Sequence, residues 1–132
     1  MEEYARLFGI QDQIIFAGRV SGLDLPRFYC SCDVLVTASI HEGVCVPILE
    51  AFASGKPVLV PDVTAMPETA NGGGVIYRSN SVDDFVDKVR RLQRDETLRL
   101  RLGRKGRSIA MRHDIARVSR QYTLHVNDIL KR

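Results

Sequence analysis

Apolar residues fall in two kinds of run along this chain. Short unbroken runs include Ile14 to Ala17, Val34 to Val36, Val58 to Val60 and Val75 to Tyr77. In other stretches apolar residues recur every three or four positions. Unbroken runs of this length read as strands buried on both faces, and the spaced ones as helices with one apolar side. A first helix is predicted from Glu2 to Phe8, with Tyr4, Leu7 and Phe8 on one side and Gly9 at its end. The strand Ile14–Ala17 follows, closed by Gly18, with Arg19 to Gly22 as the loop beyond it. Asp24 is placed to cap a helix holding Leu25, Phe28 and Tyr29, with Pro26 in its first turn. Asp33 begins a second strand, Val34–Thr37. A third runs from Lys56 to Val60, with Pro57 at its start and Pro61 and Asp62 closing it. A loop from Thr64 to Pro67 leads to a short helical turn near Glu68. Gly72 to Gly74 permit a tight backbone before the strand Val75–Tyr77. Ser81 and Asp84 resemble a capping box. The helix they open puts Val82, Phe85, Val86, Val89 and Leu92 on one face. A short helix from Leu98 to Arg107 is expected to be broken at Gly103 and Gly106. Asp114 caps a last helix carrying Ile115, Val118, Tyr122 and Ile129 at helical spacing.

Strands that alternate with helices and are apolar throughout imply an α/β fold, a Rossmann-like parallel sheet flanked by helices. Ligands of such sheets bind beyond the carboxyl ends of the strands. Two loops are predicted there, Gly18 to Gly22 and Ser39 to Pro47, and one crevice would serve both. The second opens the stretch E-G-V-C-V-P-I-L-E, Glu42 to Glu50. Pro47 is favoured at a helix start, and Gly55 ends the apolar and small residues that follow. Glu42 then lies in a loop and Glu50 in the first helical turn. The amides of Cys45 to Leu49 sit near a helix N-terminus, whose unpaired donors and dipole suit a diphosphate. Gly43 allows close backbone approach. An ionised carboxylate accepts strong hydrogen bonds from hydroxyls, so two carboxylates can hold two diols, one on a sugar and one on a ribose. The plainer alternative is that Glu50 only complements the helix dipole, for about 0.3–1 kcal/mol, and Glu42 is only solvated.

Composition narrows the class. The 132 residues suffice for one domain with a real core. Hydrophobic residues at 45% and charged ones at 27% are those of an ordinary globular chain. A net charge of +3 does not itself imply nucleic acid. No apolar run approaches the ~20 residues of a membrane span, and the acidic start M-E-E-Y-A-R-L-F lacks the apolar core of a signal peptide. Cys30, Cys32 and Cys45 have no metal-ligand spacing and read as reduced thiols of a cytoplasmic protein. From Arg99 to Arg132 ten basic residues face two acidic ones. A solvated helix face is the first expectation for them. Peripheral contact with anionic lipid at the inner face of the membrane is the second. No aromatic platform interleaves these charges, which argues against nucleic acid.

The residues together resemble a known family. The order I-I-F-A-G-R-V, D-V-L-V-T-A-S, E-G-V-C-V-P-I-L-E-A-F-A-S-G-K-P-V-L-V, then P-E-T and G-G-G-V-I-Y, is similar to the C-terminal half of retaining GT-B glycosyltransferases of the family-4 type. The resemblance runs from about Ile10 to the last helix. It implies a nucleotide diphosphate sugar as donor, with UDP, GDP and ADP all open, and transfer to an acceptor hydroxyl with retention. Glu42 would bind the donor sugar and shape the site at its anomeric carbon, as the catalytic residue. Gly43, Val44 and Cys45 would offer amides to sugar and phosphates, and Val46 and Leu49 would lie against the diphosphate. Glu50 would take the ribose, and Arg19 and Val20 would flank the base. No metal and no other cofactor is implied.

Two departures are visible. Cys45 stands where the family usually has a second glycine, a small filler that narrows the room beside the sugar; His41 before Glu42 would orient it or face solvent. The acceptor-binding N-terminal domain and the first part of the donor domain, with its basic G-x-x-x-x-x-K-G type stretch, are expected to lie on a longer protein or a partner chain. The first strand and last helix would then expose apolar surface. A non-catalytic nucleotide-binding or assembly module is the alternative from another class. A receiver-like domain is disfavoured because Asp33 begins its strand and Asp62 follows Lys56.

Overall fold

A computed structural model describes residues 1–130. Three parallel strands form the sheet: β1 (Leu35–Val36), β2 (Val58–Pro61) and β3 (Gly74–Tyr77), in that order. Leu35 pairs with Val58 across β1 and β2, and Val58 with Gly74 across β2 and β3. The helices are α1 (Glu2–Leu7), α2 (Leu25–Ser31), α3 (Val46–Ala53), α4 (Met66–Ala70), α5 (Val82–Arg94), α6 (Glu96–Ala110) and α7 (Ile115–Leu130).

β2 explains why an unbroken apolar run becomes a central strand. Every residue of it is buried, because successive side chains enter opposite layers. Val58 and Val60 join Ile48 and Phe52 of α3 and Met66 and Ala70 of α4. Leu59 joins Leu92 of α5, Leu98 and Leu102 of α6, and Tyr77. Tyr77 meets Phe85 edge to face, ring centroids 5.0 Å apart. α6 serves both layers, since its Ile109 belongs to the first cluster.

Several sequence expectations need correction. Ile14 to Ala17 is not a strand. Ile15 is 91% exposed, and Phe16 and Ile14 are exposed as well. A parallel strand has no ladder of its own, and no described strand lies beside this run to supply one. Gly18 to Gly22 therefore does not follow a strand end. The second strand shrinks to Leu35–Val36, and Pro57 lies just before β2 instead of opening it. Asp24 precedes α2 but its carboxylate does not cap it; it accepts from Ser21 Oγ at 2.8 Å. Val82 points to solvent, off the buried face of α5.

α6 is one continuous helix of 15 residues, not a broken one. Gly103 and Gly106 are contact points. A Cβ on Gly103 would collide with the Gly55 carbonyl, and one on Gly106 with the Phe52 ring. Their missing side chains let α6 lie directly on α3. Gly55 itself ends α3 at φ +72, a conformation glycine adopts freely.

The caps predicted at Ser81 and Asp114 form. Ser81 Oγ accepts from the Asp84 amide at 3.2 Å, while the Asp84 carboxylate takes the Arg78 amide and not that of Ser81. Asp114 Oδ1 accepts from the amides of Ala116 and Arg117. Val118, Tyr122 and Ile129 on α7 are exposed. The side chain of Ile115, together with Lys131 and Arg132 of the basic tail, lies outside the described residues. Among the described residues no helix is long and apolar enough to cross a membrane.

Candidate functional site

The stretch Glu42 to Glu50 emerges beyond the carboxyl end of β1 and turns into α3. Cys45 precedes the helix in an extended conformation, and its carbonyl already accepts from the Ile48 amide at 2.9 Å. The first turn therefore closes at Val46, one residue before Pro47, and Glu50 falls in the second turn instead of the first. Among the described residues, the N–H groups of Gly43, Val44, Cys45 and Val46 take no partner. Those of Cys45 and Val46 are unpaired donors at the positive end of α3, and those of Gly43 and Val44 belong to the loop leading into it.

Cys45 is buried within the cluster that holds Ile48 and Phe52, as a small filler should be. Burial pushes its thiol up, opposed by the Ile48 amide. All three cysteines are free. Gly43, Val44 and Val46 are exposed and Leu49 is half-buried.

Each carboxylate is held by a hydroxyl. Glu42 Oε1 accepts from Ser39 Oγ at 2.9 Å. Its backbone amide donates to Thr64 Oγ1 at 3.3 Å. Thr64 has φ +48, rare for a β-branched residue. Glu50 Oε2 accepts from the Tyr29 hydroxyl at 2.7 Å. Burial, then the Glu50 carboxylate, hold the Tyr29 phenol well above the usual tyrosine range.

Two cavities flank the start of α3. One, of about 370 Å³, is bounded by Gly43, Val44, Leu49, Glu68, Arg112 and His113. The other, of about 620 Å³, has Val46, Leu49, Glu50, Arg107 and Asp114 in its wall. Leu49 and His113 are common to both. Arg19 is exposed and Val20 half-buried. Neither they nor Glu42 line these two cavities, whereas Glu50 does.

Sequence reasoning missed Ser39, Thr64 and Tyr29 as partners of the carboxylates. Tyr29 was legible only as one apolar position on a helix. It also left Arg107 and Arg112 among solvated charges, whereas they stand in the cavity walls. No local signal marks Tyr29, Thr64, Arg107 or Arg112, which reach the start of α3 only in three dimensions; Ser39 stands three residues before Glu42 in the same loop, and that spacing could have found it.

The parallel α/β sheet flanked by helices is the fold of GT-B glycosyltransferase domains. The chain belongs to the family described as glycosyl transferases group 1, whose model matches residues 1–109. O-antigen chain mannosyltransferase B of Escherichia coli is 34% identical over 86 residues, 65% of this chain and 23% of that protein. A sulfoquinovosyl transferase of Arabidopsis thaliana is 33% identical over 107 residues, 76% of this chain and 21% of that one. The chain thus spans less than a quarter of the length of these two relatives. Anabaena HepE, solved in complex with UDP, superposes with a TM-score of 0.86 at 17% identity, covering 96% of this chain and 35% of that one.

Proposed function

We propose that this chain is the donor-binding part of a retaining glycosyltransferase of the family-4 type, belonging to its C-terminal domain. The reaction moves a hexosyl group from a nucleotide diphosphate sugar to an acceptor hydroxyl. The acceptor is bound by a further domain or a partner chain.

One observation carries the reading. Glu42 and Glu50 bracket the unpaired amides that open α3, and each is fixed by a hydroxyl bond, at 2.9 Å and 2.7 Å. A nucleotide diphosphate sugar presents a sugar diol, a diphosphate and a ribose diol in that order. Glu42 takes the sugar and shapes the site at the anomeric carbon. The amides of Gly43, Val44 and Cys45 take sugar and phosphate oxygens, with Val46 and Leu49 against the diphosphate. Glu50 takes the ribose, and Arg19 and Val20 flank the base. Charge builds on the departing diphosphate as the glycosidic bond breaks. Donors already aimed at that charge lower the barrier more than they stabilise the bound substrate. Arg107 and Arg112 add positive charge from the cavity walls, and no metal is required. The protein works in the cytoplasm, with peripheral contact to the inner face of the membrane through its basic C-terminal segment.

Calorimetry of the chain with UDP, GDP, ADP and their sugar derivatives tests this. Binding of one nucleotide series is expected, retained in excess EDTA. Binding of none would sink the donor-site reading and favour an assembly module.

A further inference from the structure

We infer that Tyr29 is a positioning residue for ribose recognition: its hydroxyl fixes Glu50 so that the carboxylate keeps its remaining lone pairs toward a vicinal diol. This rests on the assignment of Glu50 to the ribose.

Tyr29 sits on α2 and Glu50 on α3, 21 residues apart in sequence and 2.7 Å apart at their oxygens. That is short, as expected for a hydroxyl donating to a charged acceptor. The Tyr29 side chain packs against the buried cluster containing Ile48 and Phe52. Core packing therefore sets where its hydroxyl lies. Glu50 is half-buried on an otherwise regular helical turn, and its side chain has three rotatable bonds. Among the described residues, no other side chain bonds it and no Lys or Arg forms an ion pair with it.

The counting of hydrogen bonds favours a neutral partner. A carboxylate offers about four lone-pair sites, and a phenol has one proton to give. Tyr29 uses one site, and three remain for the two hydroxyls of a diol. A guanidinium in its place would occupy both oxygens and compete with the ligand. The phenol also stays protonated wherever nucleotides bind, because burial and the neighbouring carboxylate both oppose its ionisation. The contact therefore behaves as a fixed donor at every working pH.

The test compares UDP, GDP or ADP, whichever the wild-type chain binds, with its 2′,3′-dideoxy counterpart. Tyr29→Phe keeps the ring and removes only the hydroxyl. It is expected to weaken the ribonucleotide about 3- to 10-fold, the usual range for one hydrogen bond, and to leave the dideoxy nucleotide within about twofold. In a Glu50→Gln background the same change should add little. Equal weakening of both nucleotides, or of neither, would overturn the role of Tyr29 while leaving Glu50 at the ribose. A wild-type chain that binds both nucleotides equally would overturn the Glu50 assignment itself, and Tyr29 with it. Circular dichroism checks the fold. If Tyr29→Phe unfolds, 4-aminophenylalanine in place of Tyr29 keeps an N–H donor at the reach of the phenol and should recover part of the discrimination; unfolding of both variants would mark a structural role and refute the proposal.

Discussion

Gly103→Ala is the sharpest probe of how α3 is held in place. Alanine is the better helix former, by about 1 kcal/mol over glycine in an exposed helix. A helix broken at Gly103 would gain that amount. The structure predicts the opposite sign. The added Cβ would run into the Gly55 carbonyl oxygen and lie 3.0 Å from its carbon. Both are backbone atoms, so no rotamer change relieves the clash. The Gly55 amide is tied to Phe52 at 2.9 Å and the Lys56 amide to Ala51 at 2.9 Å, which pins the turn. Overpacking at such a point costs about 1–3 kcal/mol, and a backbone neighbour argues for the upper end. After the helical gain is subtracted, a net loss of about 1–2 kcal/mol remains. For a chain of this size that is a fall of about 4–8 °C in Tm. Urea titrations with circular dichroism would measure it, with Ser108→Ala on the exposed side of α6 as the control, expected within about 0.5 kcal/mol of wild type. Because α6 yields only by pushing α3, nucleotide affinity should fall as well. A Gly103→Ala protein as stable as wild type, or more so, would refute the close-contact reading.

Two further predictions concern the loop of Glu42. In an enzyme carrying the complete donor and acceptor domains, Glu42→Ala should reduce kcat at least 10²-fold, about 2.7 kcal/mol or more in transition-state stabilisation; turnover near wild type in a radiolabelled-sugar transfer assay would remove the assigned role. Thr64→Gly relieves the positive φ, which costs a side-chain-bearing residue about 1–2 kcal/mol, but deletes the hydroxyl that accepts the Glu42 amide. Thermal stability should be equal or higher while donor-sugar affinity falls, and a loss of both would show that Thr64 serves the fold alone.

The two halves of the site were unequally legible. Glu42, Glu50, the helix between them and the buried Cys45 follow from local chemistry: a proline near the start, a glycine at the stop, and carboxylates at set spacing. Their placement within the turn was off by one residue, because the Cys45 carbonyl closes the first turn early. Tyr29 and Thr64 could not be read, because they act through contacts made only once α2, α3 and the loop before α4 are packed together. Ser39 is a local partner, three residues from Glu42, and its spacing was the signal overlooked.

Pattern and composition alone determined the class of fold, the alternation of elements, the caps at Ser81 and Asp114, and the helix that starts at the clamp. These depend on spacing within a few residues, where the backbone's own hydrogen bonds and the helical or extended period dominate. Tertiary structure decided the fate of two patterns that look alike locally. Ile14 to Ala17 and Val58 to Val60 are both short apolar runs, yet only the second becomes a strand, because only it finds parallel neighbours and a layer on each face. Gly103 and Gly106 look like breaks, yet they are where two helices touch. A glycine is a helix's weakest residue when it faces water, and its closest point of approach when it faces another backbone.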